Sequence, residues 1–307
     1  MKISTHLLFD RASTQMSTVQ SNLTQTQAQL AQGKQIINAS DAPNQAATIQ
    51  RLKSILSRQD SYQSSLNTVK ARLQGEDSTL QSVSELLIRA KEVAVQGAND
   101  TLNMGDRKAL ANEMQSLRDQ MLSLANTRDS NGNFLFAGSR VKQPAFAETA
   151  NGSPVYMGDQ TRMNVRVGDQ QNIPINRTGT DAFVPVTRID KDGAPVGVSF
   201  FQVMDNLIAG LNTANGSDIR RGAGELDNLQ QGLSLAHAQV GTNLNMVDQQ
   251  TSIIEDTTLN LKSTLSSIED LDYASAITKM NQQMLSLEAA QASFAKVSQL
   301  NLFNYIK

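Results

Sequence analysis

The side chains that could carry chemistry are few and scattered. His6 and His237 lie far apart in sequence, and neither has a carboxylate or second imidazole at a metal-ligand spacing. Each reads as a helix-surface histidine. Asp190-Lys191-Asp192-Gly193 opens like a calcium loop, but the remaining oxygen ligands and terminal Glu do not follow, so a turn between strands is the expectation. Glu269, Asp270 and Asp272 crowd a helix boundary, where carboxylates serve as caps and solvated surface. Serine is abundant, yet two histidines leave little to activate one as a nucleophile. There is no Gly-x-x-x-x-Gly-Lys-Ser/Thr phosphate loop and no Gly-x-Ser-x-Gly turn. With no cysteine, disulfides, thiol nucleophiles and Cys-based zinc sites are excluded. No catalytic residue, cofactor or metal ligand is assigned, and the protein is not expected to be an enzyme.

What remains to be explained is a long chain with little aromatic filling. Its 307 residues are 39% hydrophobic, 18% charged and only 4% aromatic. A formal net charge of −2 and periodic apolar residues argue against disorder. The absence of a basic block gives no electrostatic case for nucleic acid. No run of apolar residues is long enough to span a membrane. The first residues lack the basic, apolar and small-residue regions of a signal peptide, so export would need another route.

Heptads supply the architecture. Leu52, Leu66, Leu73, Leu80, Leu87 and Ala94 recur at sevens, interrupted by Gln59. Ile55, Tyr62, Val69, Val83 and Ala90 form the companion series, interrupted by Glu76. This a/d pattern predicts one helix over 52–97, about 70 Å long at 1.5 Å per residue. A second helix is predicted over 105–127 and a third over 199–212. Leu226, Leu233, Val240, Val247, Ile254, Leu261 and Ile268 stand at unbroken sevens and predict a helix over 226–268. The two long helices can pair antiparallel. Between 134 and 198 lie five of the six prolines, and six of the nine Phe fall between 134 and 201. Short alternating runs such as Met163–Val167, separated by Gly-containing turns, predict a small inserted β domain. The fold class is therefore mainly α: an elongated helical rod with coiled-coil ends and a β insert.

Both ends carry heptads of a different character. Phe9, Met16, Leu23, Leu30 and Ile37 repeat near the start, and Ile277, Met280, Met284, Leu287, Phe294, Val297, Leu300 and Phe303 mark the last helix. Lys2, Asp10, Arg11 and Lys34 are the only charges in the first 35 residues. A solvated coiled coil carries Glu and Lys on its outer faces, whereas uncharged polar faces suit a helix touched by protein on several sides. An assembly interface is accordingly predicted from Ile3, Phe9, Met16, Leu23, Leu30, Ile277, Met284, Leu287, Phe294, Leu300 and Phe303, the alternative being an ordinary helix pair within the chain with a soft polar surface. The ends are too weakly apolar to fold alone, so they are expected to order as they assemble.

Several segments bear a resemblance. Ile37-Asn38-Ala39-Ser40-Asp41-Ala42-Pro43-Asn44-Gln45-Ala46-Ala47, Asn131-Gly132-Asn133-Phe134-Leu135-Phe136-Ala137-Gly138 and Ile268-Glu269-Asp270-Leu271-Asp272-Tyr273-Ala274 occur in an order and spacing that resemble the bacterial flagellin superfamily. The ending Phe294–Ile306, with Val155–Asp159 and Asn176–Gly179 in the insert, is similar to its hook–filament junction proteins. The resemblance implies a structural, non-enzymatic role outside the cell and export without signal cleavage. It implies as partners the first hook–filament junction protein, flagellin, copies of the chain itself, and an export chaperone on the C-terminal region. Flagellin itself is the second reading, and a type III secreted coiled-coil adaptor a third. The expected organisation is a terminal assembly domain (1–42 with 270–307), a helical rod (43–133 with 199–269) and an outward-facing insert (134–198).

Overall fold

The computed structural model describes residues 2–149, 152–189 and 194–303; the Asp190–Gly193 segment lies outside them. The element order is α1 (Lys2–Gln32), α2 (Pro43–Gly97), α3 (Met104–Ala125), β1 (Phe146–Glu148), β2 (Pro154–Tyr156), β3 (Asn164–Arg166), β4 (Asn172–Pro174), α4 (Gly179–Ala182), β5 (Val186–Ile189), β6 (Pro195–Val198), α5 (Phe200–Asn212), α6 (Gly216–Glu269) and α7 (Tyr273–Phe303). The two long helices extend beyond their heptads. Pro43 opens α2, since a proline at the first helical position gives up only an N–H that would be unpaired there. Asn215 sets the start of α6: its side-chain oxygen accepts from Ser217 N at 3.2 Å and from Asp218 N at 3.4 Å. One heptad position falls off its helix: α1 ends at Gln32, so Ile37 lies in the following turn.

The contacts divide the chain into two compact units, one of residues 1–58 with 256–307 and one of 59–255. In the second, α2 and α6 run antiparallel. Lys70 pairs with Asp248, Asp77 with His237, Ser84 with Gln230 and Lys91 with Asp227, so positions fall on α6 as they rise on α2. Leu66, Val69, Leu80 and Val83 on α2 are fully buried, as are Val240 and Val247 on α6. Met114 and Met121 of α3 are fully buried too. Arg89 bonds Glu113 across α2 and α3, and Arg118 bonds Asp205 across α3 and α5.

Among its described residues the insert forms two-stranded antiparallel pairs β1–β2, β3–β4 and β5–β6, which no further strand pairing joins. Isolated hairpins are marginal in water, so each must borrow a core. Phe146 of β1 meets Phe201 of α5 at a ring-centroid distance of 5.2 Å, Phe183 after α4 meets Phe200 and Phe201 at 5.2 and 6.0 Å, and Ile173 of β4 with Val186 and Val198 of the third hairpin are buried. Charged clasps fix the rest. Arg118, 3% exposed, reaches Glu148 at 2.6 Å and Gly152 O at 2.8 Å, and Arg188 grips Glu225 of α6 through two bonds of 2.7 Å.

Within the segment Asn131–Gly138, Phe134–Gly138 is a buried plug behind an exposed turn. Phe134, Leu135, Phe136 and Ala137 are all buried, and Arg72 of α2 bonds Asp129 and Leu135 O at 3.1 and 3.0 Å. Asp129 accepts from Asn131 N and Asn133 N at 2.9 Å, which shapes the turn. Burial works against its charge, but these bonds and Arg72 hold its carboxyl below the usual carboxylate range.

Candidate assembly surface

The segments around Ile37–Ala47 and Ile268–Ala274, distant in sequence, are brought together. α1 stops at Gly33, whose φ of +67° needs glycine. A Cβ there would also lie 2.7 Å from the Tyr273 hydroxyl. The chain then pairs with the turn between α6 and α7: Leu271 N donates to Gly33 O at 3.0 Å, and Gln35 N to Glu269 O at 2.8 Å. Asp41 holds the next turn by accepting from Ile37 N at 3.1 Å and Asn38 N at 2.8 Å.

Glu269 is the electrostatic centre of this clamp. Its side chain is 7% exposed, and it pairs with Lys34 at 2.9 Å and Lys53 at 2.8 Å. Burial raises the cost of its charge, but the bonds to Lys53 and Lys34 outweigh that and hold the carboxyl below its ordinary value. Of its acidic neighbours, Asp270 accepts from Ser266, and Asp272 caps α7 by accepting from Ala274 N at 3.0 Å. Capping thus accounts for Asp272, while Glu269 is a buried ion-pair hub.

Beyond the clamp, α1 and α7 run antiparallel, with Lys34 bridging Asp270 at one end and Phe9 meeting Phe294 at 4.7 Å towards the other. On α1 the less exposed positions include Ala12, Met16, Val19, Leu23, Thr26 and Leu30, with Ala28 and Gln29 beside the last turn. On α7 they are Ala276, Met280, Gln283, Leu287, Ala290 and Phe294. Both sets alternate steps of four and three, the spacing of a coiled-coil seam. Of the residues predicted at an interface, Met16, Leu23, Leu30, Leu287 and Phe294 are therefore half-buried within the chain's own helix pair. Phe9, Ile277 and Met284 remain exposed at 43%, 46% and 43%. The side chains of Ile3, Leu300 and Phe303 lie outside the described residues, as does that of His6.

Sequence reasoning missed two residues that matter here. Leu7 and Leu285 are 52% and 68% exposed. At 100° per residue each points away from its seam by roughly half a turn. The heptad reading assigned one apolar stripe per helix and had no place for a second. Both helices thus bury one face on each other and leave apolar groups on another, with uncharged polar residues between.

Among the described residues no cluster of His, Asp or Glu could hold a metal ion, and no helix is long and apolar enough to cross a membrane. His237 Nε2 lies 2.9 Å from Asp77, an ordinary surface contact.

Two family descriptions match the chain. The bacterial flagellin N-terminal helical region matches residues 3–141, and the bacterial flagellin C-terminal helical region matches residues 224–306. Together they span more than two thirds of the sequence. Flagellar hook-associated protein 3 of Escherichia coli is 28% identical, covering 100% of both chains. A flagellin of Listeria monocytogenes is 24% identical over 98% of this chain and 96% of its own. Among solved structures, flagellar hook-associated protein 3 from Legionella pneumophila superposes with a TM-score of 0.65 at 18% identity, covering 72% of this chain and 98% of that one. With both terminal helical regions matched and the N- and C-terminal segments clamped together as one unit, the chain belongs to the bacterial flagellin family.

Proposed function

We propose that this chain is a structural component of the bacterial flagellum that joins the hook-side junction protein to the flagellin filament. The observation that carries the reading is the end-to-end match to Flagellar hook-associated protein 3 of Escherichia coli, which covers 100% of both chains at 28% identity. The flagellin match is lower in identity at similar coverage.

The terminal unit suits such a role. Copies of the chain pack through α1 and α7, burying Leu7, Phe9, Ile277, Met284 and Leu285. Fixing a residue's backbone costs roughly 1–2 kcal/mol, and neighbouring subunits offset that cost by covering these apolar groups. The insert faces outward. Its partners are the first junction protein below, flagellin above and its own copies beside it. A chaperone holds the C-terminal region before export, which proceeds without signal cleavage. The role is mechanical, with no catalysis and no contact with nucleic acid or membrane.

Gold-labelled antibodies against the chain on intact flagella test the proposal. Label confined to the hook end of the filament is expected. Label along the whole filament would make the chain a flagellin instead.

A further inference from the structure

Glu76 interrupts the heptad of α2, and its position is unusual for a carboxylate. It is 1% exposed. It lines a cavity of about 290 Å³ with Arg162, Asn176, Arg177, Asp181, Gln239 and Asn243. Arg177, which lies just after β4 in the insert, shares the lining of this cavity, and its charge and backbone amide favour the ionised carboxyl. The Oε1 atom of Glu76 has no hydrogen-bond partner, and neither has the Nε atom of Arg72 or of Arg177. The site therefore ties the insert to the long helix through one incompletely satisfied carboxyl group.

We propose that Glu76 is a proton-sensitive latch: protonated, it holds the segment around Arg177 closed on α2, and ionised, it favours local release of that segment.

The charged groups around it can be named from every side. On α2 are Arg72, which is engaged by Asp129, and Asp77, which faces His237 at the surface. The insert contributes Arg162, paired with Asp181 at 2.9 Å, and Arg177. Arg177 donates to Gln239 of α6 at 2.8 Å, and the α6 residues lining the cavity, Gln239 and Asn243, are neutral. Arg177 and Arg72 favour the carboxylate, but neither guanidinium bonds Oε1. Burial outweighs them and pushes Glu76 up to about 7. A carboxyl raised above its unfolded value stabilises the closed arrangement most when protonated. That stability declines as pH rises from the ordinary carboxylate range and is lost by the time pH has passed the folded value. Between pH 5.5 and 8 the linkage amounts to roughly a twentyfold change in the closed-to-open ratio.

Hydrogen exchange of the full chain, corrected for intrinsic rates, tests this at the Arg177 amide and its neighbours Ile175 and Thr178. Protection is expected to fall about twentyfold from pH 5.5 to pH 8 in the parent, and to be independent of pH in E76Q. H237Q, which removes the nearby surface imidazole beside Asp77, is expected to keep the parent's profile. The proposal is overturned if the parent shows no fall, if E76Q falls as the parent does, or if H237Q abolishes the effect. Should E76Q not fold, the parent and H237Q profiles still decide whether the pH dependence belongs to Glu76 or to the His237 contact.

Discussion

Replacing Glu269 by Gln removes one charge from the clamp and little else. The carboxylate is 7% exposed and bonds two ammonium groups at 2.9 and 2.8 Å, each lysine side chain being 42% exposed. Solvent around the lysines screens the pairs, so each is worth about 0.5–1 kcal/mol and not the larger figure for a buried pair. Glu269→Gln is therefore expected to weaken closure of the clamp by about 1–2 kcal/mol, or roughly 5–30-fold. The Gln35 and Leu271 amides, which bridge Glu269 O and Gly33 O, report this directly by hydrogen exchange. The loss should shrink at high salt. Its pH sign is opposite to that at Glu76. The Glu269 carboxyl is held below its ordinary value, so its contribution is full above the ordinary carboxylate range and disappears as pH falls through the folded value. Parent and variant should thus converge in acid. Equal protection at neutral pH and low salt, or an identical acid profile in both, would refute the reasoning.

Other substitutions separate folding from assembly. Changing Met284 and Leu285 together to Glu should leave thermal unfolding of the free chain within about 0.5 kcal/mol, since both are exposed, while abolishing incorporation into flagella scored by microscopy. Gly33→Ala should cost about 1–2 kcal/mol in urea unfolding, because φ is +67° and Tyr273 blocks the new methyl. Ala214→Gly should stabilise by about 1 kcal/mol, because Ala214 holds φ 56° between α5 and α6. Leu80→Ala, at a fully buried position, should cost about 3 kcal/mol by the same measurement.

The long helices were legible because a heptad records one-sided burial directly. Leu80 and Val240 lie on regular sevens, and both are fully buried. Gln59 and Glu76 interrupt the pattern, and nothing in the spacing shows that Glu76 meets an arginine from the insert. Turn residues announced the hairpins, but not that they stay separate among the described residues, nor that Phe146 of β1 and Phe183 after α4 pack against α5. At the termini, periodicity found Met16, Leu23 and Leu287 but could not divide a seam within one chain from a surface between chains. Both demand the same apolar spacing. Leu7 and Leu285 escaped because each falls outside its helix's main stripe.

Composition and spacing alone determined a mainly helical chain, its ends low in charge and five of its six prolines gathered in one insert. These are properties of local pattern, which a helix or turn converts into structure without distant partners. Tertiary structure alone decided that Glu269 is a buried hub for Lys34 and Lys53, that Glu76 lies under the insert, and which apolar groups of α1 and α7 remain uncovered. Burial and charge pairing depend on what arrives from far along the sequence, and that is set only when the helices close on one another.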